Sequence, residues 1–135
     1  MAYWDDMKVI DLPKLLDARG NLSFIEEQAH IPFKMERIYW IYDVPGGEIR
    51  GSHAFREQQE LIVALSGSFD IVLHNGYKEY KFTLNRSYTG LYVPNMLWRR
   101  MENFSTNAVC MVLASTVYTE SDYIREFDEF LDAIK

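Results

Sequence analysis

Short runs of β-branched and aromatic residues, each closed by glycine, asparagine or proline, recur along most of the chain. This punctuation constrains the fold more than any other feature. Apolar runs of about four to eight residues between turn formers fit strands and are too short for helices. The runs are Leu22–Glu26 after Arg19-Gly20-Asn21, Glu36–Asp43 before Pro45-Gly46-Gly47, Gln59–Ser66, Phe69–His74, Tyr77–Leu84, Gly90–Val93 before Pro94, and Ala108–Ser115. Asn75-Gly76 reads as a two-residue hairpin, because both positions tolerate positive φ. Many short strands with regular turns predict a sandwich or barrel. The tail changes period. Tyr123, Ile124, Phe127, Phe130, Leu131 and Ile134 recur at helical spacing behind Glu120-Ser121-Asp122. They predict a C-terminal helix that packs on the strands or on a partner subunit. A second short helix is expected near Leu12–Leu16. With no repeat, linker or low-complexity stretch, residues 1–135 read as one all-β domain.

Composition narrows the function. Hydrophobic residues make up 48% of the 135 residues, enough for a real core. A net charge of -6 argues against general nucleic-acid binding, which calls for a basic face. It leaves room for one anionic ligand held by local arginines. Cys110 is the only cysteine, so no intrachain disulfide forms, and its apolar run marks it as a buried thiol. The chain opens without a basic-then-apolar leader, and no apolar run nears the ~20 residues that span a bilayer. A soluble cytoplasmic protein with no membrane role is expected.

The chemistry concentrates in two segments. Gly51-Ser52-His53-Ala54-Phe55-Arg56-Glu57-Gln58-Gln59-Glu60 ends six residues before Gly67. Pro94-Asn95-Met96-Leu97-Trp98-Arg99 is followed by Asn103 after three more residues. Both spacings resemble the two cupin motifs, whose histidines and glutamate ligate metal. Here the four ligand slots hold His53, Phe55, Glu60 and Arg99. Phenylalanine has no ligand atom, and arginine stays protonated. Two ligands beside a fixed cation fall short of the three that a catalytic zinc-type site uses, so no metal and no cofactor are expected. Arg99 suits an anchor for carboxylate or phosphate instead.

His53 lies where cupins place their chemistry, at the barrel interior, and is the leading candidate for a chemical group. His30, in a polar loop, and His74, beside the hairpin, read as structural. Glu60 is two strand positions from Gln58 and faces the same side, where it either tunes His53 or pairs with Arg50 or Arg99. Arg19, Arg37, Arg50 and Arg99 lie near strand ends and suit a diphosphate. Tyr39, Tyr42, Tyr92 and Trp98 either stack on a base or sugar or fill the core.

Beyond the cupin pattern, the chain resembles the WxcM-like sugar 3,4-ketoisomerases that act on dTDP-4-keto-6-deoxyglucose. The resemblance is carried by Arg19-Gly20-Asn21-Leu22, Ile31-Pro32-Phe33, Arg37 to Asp43, Arg50-Gly51-Ser52-His53-Ala54, Leu65-Ser66-Gly67-Ser68, Gly90-Leu91-Tyr92-Val93, Trp98, Asn103-Phe104-Ser105, Val112 to Ser115 and Asp122-Tyr123-Ile124-Arg125. It implies a single cupin (jelly-roll) barrel with a short C-terminal helix. It also implies a metal-free homodimer that moves a keto group from sugar C4 to C3 through an enediol(ate), in deoxyaminosugar biosynthesis for cell-surface polysaccharide. The site it implies has His53, Tyr39 and Glu60 as catalytic residues, with Arg19, Arg37, Arg50, Phe55, Tyr92, Trp98 and Arg99 on the substrate. One departure matters. The family pattern reads His-Ala-His, where this chain has His53-Ala54-Phe55. Phe55 can stack on a sugar but cannot move a proton, which leaves His53 to take the base role. A non-catalytic nucleotide-sugar-binding cupin, or a cupin nucleotide-sugar epimerase, stays open as an alternative.

Overall fold

In the computed structural model, which describes residues 6–135, the chain folds almost entirely into antiparallel strands. These are β1 (Lys8–Asp11), β2 (Lys14–Asp17), β3 (Gly20–Ser23), β4 (Arg37–Ile41), β5 (Arg50–Phe55), β6 (Glu60–Ser66), β7 (Phe69–His74), β8 (Glu79–Leu84), β9 (Thr89–Val93), β10 (Trp98–Glu102), β11 (Val109–Ala114) and β12 (Tyr123–Ile124). A 3-10 turn at Glu120–Asp122 precedes β12, and a helix, α1 (Phe127–Ala133), closes the chain. One five-stranded sheet runs β1-β9-β6-β11-β4, and a second runs β12-β5-β10-β7-β8. They face each other as a jelly-roll sandwich, with open edges rather than one closed ring. β2 and β3 pair with each other as a separate two-stranded arm.

Residue parity decides what each strand buries. Ile62 and Ala64 of β6, Leu91 and Val93 of β9, and Cys110 and Val112 of β11 point between the sheets. There they meet Phe69, Ile71 and Leu73 of β7 and Met101 of β10. The other face of the first sheet is also covered. Leu61 and Val63 pack outward with Ile10, Leu12, Ile31, Phe33 and Tyr92. Burial on both faces explains why β6 is a near-continuous apolar run. Glu60 shares the inward parity of Ile62, Arg99 that of Met101, and Tyr39 that of Ile41. An unbroken alternation therefore turns polar at one end of the sandwich.

Several expectations are corrected. Leu12–Leu16 contains a strand rather than a helix. Two further stretches, β1 and β10, also pair as strands. Asn75-Gly76 opens a four-residue loop instead of a two-residue hairpin. The Asn75 Oδ1 there accepts the N–H groups of Tyr77 and Lys78 at 2.9 Å each, and Gly76 takes φ 100°. The tail is not one helix. Tyr123 and Ile124 pair with Phe55 and Ala54 of β5, and the helix begins at Phe127. Ile124 and Phe130, both fully buried, join Ala54 on the outside of the second sheet with Trp98 beside them. The stripe thus packs on its own chain. Phe130→Ala should cost about 3–5 kcal/mol of unfolding free energy in a denaturant titration, because it opens a cavity beneath the helix.

Candidate active site

Four strands bring His53, Arg99, Glu60 and Tyr39 together at the polar end of the sandwich. His53 and Arg99 are opposite each other in the β5–β10 pairing. Glu60 opens β6, and Tyr39 is central in β4. The Glu60 carboxylate is the hub. Its Oε1 lies 2.8 Å from Arg99 Nε, with both side chains almost wholly buried. The N–H does not point along that line, so the contact is ionic rather than a linear hydrogen bond. Its Oε2 accepts the Tyr39 hydroxyl at 2.6 Å, Gln58 Nε2 at 2.9 Å and Arg99 Nη2 at 3.4 Å. The Tyr39 oxygen in turn accepts from Arg99 Nη2 at 3.1 Å.

This network fixes protonation states. Burial, then the Glu60 charge, holds the Tyr39 phenol far above its ordinary range, so it stays protonated and spends its proton on Glu60. Burial alone would lower the Arg99 pKa, but Glu60, with Tyr39, Cys110 and Tyr123 adding to it, raises it on balance and keeps the guanidinium charged. Gly51 makes room for that guanidinium. A Cβ there would sit 2.7 Å from Arg99 Nη1, and the residue adopts φ 73°.

His53 stands apart from the network. Its Nε2 is buried with no hydrogen-bond partner. Burial first, then the charges of Arg99, Arg125 and Arg50, push its pKa down to about 3. The ring is therefore neutral at working pH and free to accept a proton. Phe55 and Tyr123 meet it edge-on, at centroid distances of 4.8 and 5.0 Å.

A cavity of about 280 Å³ adjoins these groups, lined by Arg37, Tyr39, Arg50, Gly51, His53, Arg99 and Tyr123 among others. Arg37 lies over the Tyr39 ring at 5.1 Å, and its Nε is buried without a partner. Of the ten site residues expected from sequence, five line this one space, Arg37, Tyr39, Arg50, His53 and Arg99, and Glu60 lies buried behind Tyr39 and Arg99. Phe55 lies behind it, buried against Tyr123 at 4.7 Å and 5.4 Å from the Arg99 guanidinium carbon. Three are elsewhere in the chain's own fold. Arg19 is 89% exposed on the β2–β3 arm, paired with Asp17 at 2.7 Å. Tyr92 has the opposite parity to Leu91, so its ring packs on Phe33 outside the first sheet and its hydroxyl donates to Gln59 at 2.6 Å. Trp98 has the opposite parity to Arg99 and packs on Phe127 under the helix. Tyr42 is 60% exposed.

Sequence reasoning missed Gln58, Tyr123 and Arg125 as neighbours of the site. Arg125 covers the Tyr123 ring at 4.3 Å. The signal of Tyr123 and Arg125 was masked by the helical period of the tail, which assigned Tyr123 to the wrong element. His30 and His74 are structural: each Nδ1 accepts a local backbone N–H. Cys110 is buried, which pushes its thiol up to about 12.

A metal does not fit the cupin ligand slots of this chain. Phe55 offers no ligand atom, and both Glu60 oxygens are taken by Arg99, Tyr39 and Gln58. Among the described residues no group of three or more histidine, cysteine or carboxylate side chains forms a metal cluster. Breaking the hub should be costly, because it strands a buried guanidinium. Glu60→Ala is expected to lose about 3–5 kcal/mol of unfolding free energy, read by chemical denaturation.

Known proteins share this chain's sequence pattern and fold. The family model described as FdtA: WxcM-like, C-terminal matches residues 5–135. The chain is 44% identical over 123 residues to the TDP-4-oxo-6-deoxy-alpha-D-glucose-3,4-oxoisomerase of Aneurinibacillus thermoaerophilus, covering 91% of this chain and 88% of that protein. A 3,4-ketoisomerase from Helicobacter canadensis superposes with a TM-score of 0.93 at 40% identity, covering 96% of this chain and 97% of that one. QdtA, a sugar 3,4-ketoisomerase from Thermoanaerobacterium thermosaccharolyticum solved with TDP, gives 0.93 at 34% identity over 96% and 94% of the two chains. A histidine-to-asparagine variant of QdtA was solved with TDP-4-keto-6-deoxyglucose. With its whole described fold and nearly all its residues matched, the chain belongs to the FdtA/WxcM-like family.

Proposed function

We propose that the protein is a sugar 3,4-ketoisomerase that converts dTDP-4-keto-6-deoxyglucose into its 3-keto isomer. The observation that carries this reading is the neutral, unpartnered Nε2 of His53 beside a cavity ringed by arginines. The reaction needs one base and no redox partner. His53 takes the proton from C3, the C–H electrons form the C3=C4 bond, and O4 takes up the negative charge. The O3 hydroxyl proton then passes to O4, and C4 takes a proton from the His53 imidazolium as the C3 ketone forms. Arg99 places a fixed cation beside the developing enediolate. Arg37 and Arg50 suit the diphosphate, and Glu60 with Tyr39 keeps Arg99 in place. Phe55, buried against His53, serves as packing for the base, so a second histidine is not needed for the first proton transfer.

Incubation with the keto sugar in deuterium oxide, followed by proton NMR, should yield a 3-keto product with deuterium at C4. If no product forms and the C3 proton is retained, the protein binds nucleotide sugar without turning it over. The pH profile follows from the depressed His53 pKa. A base already neutral in the free enzyme places the acid limb of kcat/KM well below the ordinary imidazole value of about 6.5. The bound diphosphate offsets the arginine charges that hold His53 down. The acid limb of kcat should therefore lie at higher pH than that of kcat/KM.

We infer further that residues 1–135 form one cupin domain acting as a homodimer in the cytoplasm, within deoxyaminosugar biosynthesis. The β2–β3 arm supports the dimer: Leu15, Leu16 and Leu22 are 57%, 71% and 56% exposed on it, too much apolar surface for an isolated hairpin. An apolar hollow of about 630 Å³ lies beside the arm, lined by Ile25, Met35, Met111 and Leu113 among others. Arg19 rides on the same arm. Among the described residues no helix is long and apolar enough to cross a membrane.

A further inference from the structure

We propose that Gln58 is a positioning residue that sorts the charges of the site, with the cation of Arg37 on one end of its amide and the anion of Glu60 on the other. The proposal rests on reading the cavity as a nucleotide-diphosphate pocket. Gln58 is 2% exposed, in the loop between β5 and β6. Its Oε1 accepts from Arg37 Nη2 at 2.9 Å and from the Thr116 hydroxyl at 2.6 Å. Its Nε2 donates to Glu60 Oε2 at 2.9 Å. Arginine has only donors and a carboxylate only acceptors, so a reversed amide would satisfy neither. The loop is held from behind as well: the Asp122 carboxylate accepts the N–H groups of Glu57 at 2.7 Å and Gln58 at 3.1 Å.

The amide decides which cation the buried carboxylate neutralises. Glu60 is filled by Arg99, Tyr39 and Gln58. Arg37 joins none of the ion pairs among the described residues, and its Nε is buried without a partner. A guanidinium bound to a neutral amide keeps its full charge and its spare donors for an oxyanion. Bound to a carboxylate, its charge would be offset and those donors engaged. Gln58 therefore keeps Arg37 a receptor for phosphate while Arg99 stays paired inside.

The test is TDP binding by calorimetry, with wild type measured beside each variant at pH 7.5 and pH 5.5. Gln58→Glu keeps an acceptor for Arg37 but adds a charge against Glu60. TDP affinity should fall at least about tenfold at the higher pH. At the lower pH about threefold or more should return relative to wild type, because two facing carboxyls take up a proton and one again donates to the other. Gln58→Met, similar in size, should lose affinity without that acid recovery. Thr116→Val loosens the amide from outside the cavity and should weaken TDP by about threefold with little change in melting temperature. The proposal is overturned if Gln58→Glu binds TDP within twofold of wild type at pH 7.5. It is also overturned if all three variants lose affinity only in step with their melting temperatures and no acid recovery appears. The readout is binding, so it holds even if no keto sugar is turned over. Failure of the wild type to bind TDP would instead remove the nucleotide-diphosphate reading, and this proposal with it.

Discussion

The buried contact between Glu60 and Arg99 organises everything around it. Two opposite charges, each nearly sealed from water, sit where the hydrophobic interior of the sandwich ends. Such a pair adds little net stability, because desolvation offsets most of its attraction. Its value is geometric. With Glu60 in place, the Tyr39 proton, the Gln58 amide and the Arg99 guanidinium have one arrangement that satisfies them all. Gly51 is then required beside Arg99, because any side chain there would collide with the guanidinium.

The same pair sets the electrostatics of His53. Glu60 answers Arg99 directly, but His53 lies within reach of Arg99, Arg125 and Arg50 with no carboxylate of its own. Burial and these cations together keep the imidazole neutral. A site otherwise built to hold anions therefore also holds a free base. Burial is the larger influence on His53, and the guanidinium groups that would hold an anion add to it.

Much of the site was legible before any coordinates. The spacing of Gly51 to Gly67 and of Pro94 to Asn103 identified His53, Glu60 and Arg99 as inward-facing, and strand parity explains why. The shared side of Gln58 and Glu60 was read from their two-residue spacing, but the hydrogen bond between them was not. Tyr92 and Trp98 face away from the cavity of their own chain for the same physical reason in reverse. Each neighbours an inward residue, and a one-residue offset sends a side chain to the opposite face. Tyr123 was misread because Phe127, Phe130, Leu131 and Ile134 set a helical period, and Tyr123, four residues before Phe127, falls in step with it.

Strand content, the sandwich-or-barrel class, the unfitness of the cupin slots for metal and the candidacy of His53 were settled by residue type and spacing, because these depend on local alternation and on which side chains carry lone pairs; the jelly-roll came from the family resemblance. The partner of Glu60, the freedom of Arg37, the burial of Phe55 behind the cavity and the return of the tail to β5 were decided only in three dimensions. Each joins residues far apart in sequence, such as Tyr123 and Phe55 or Arg37 and Gln58. Such contacts are chosen by register and burial across the sandwich, and local pattern carries no information about them.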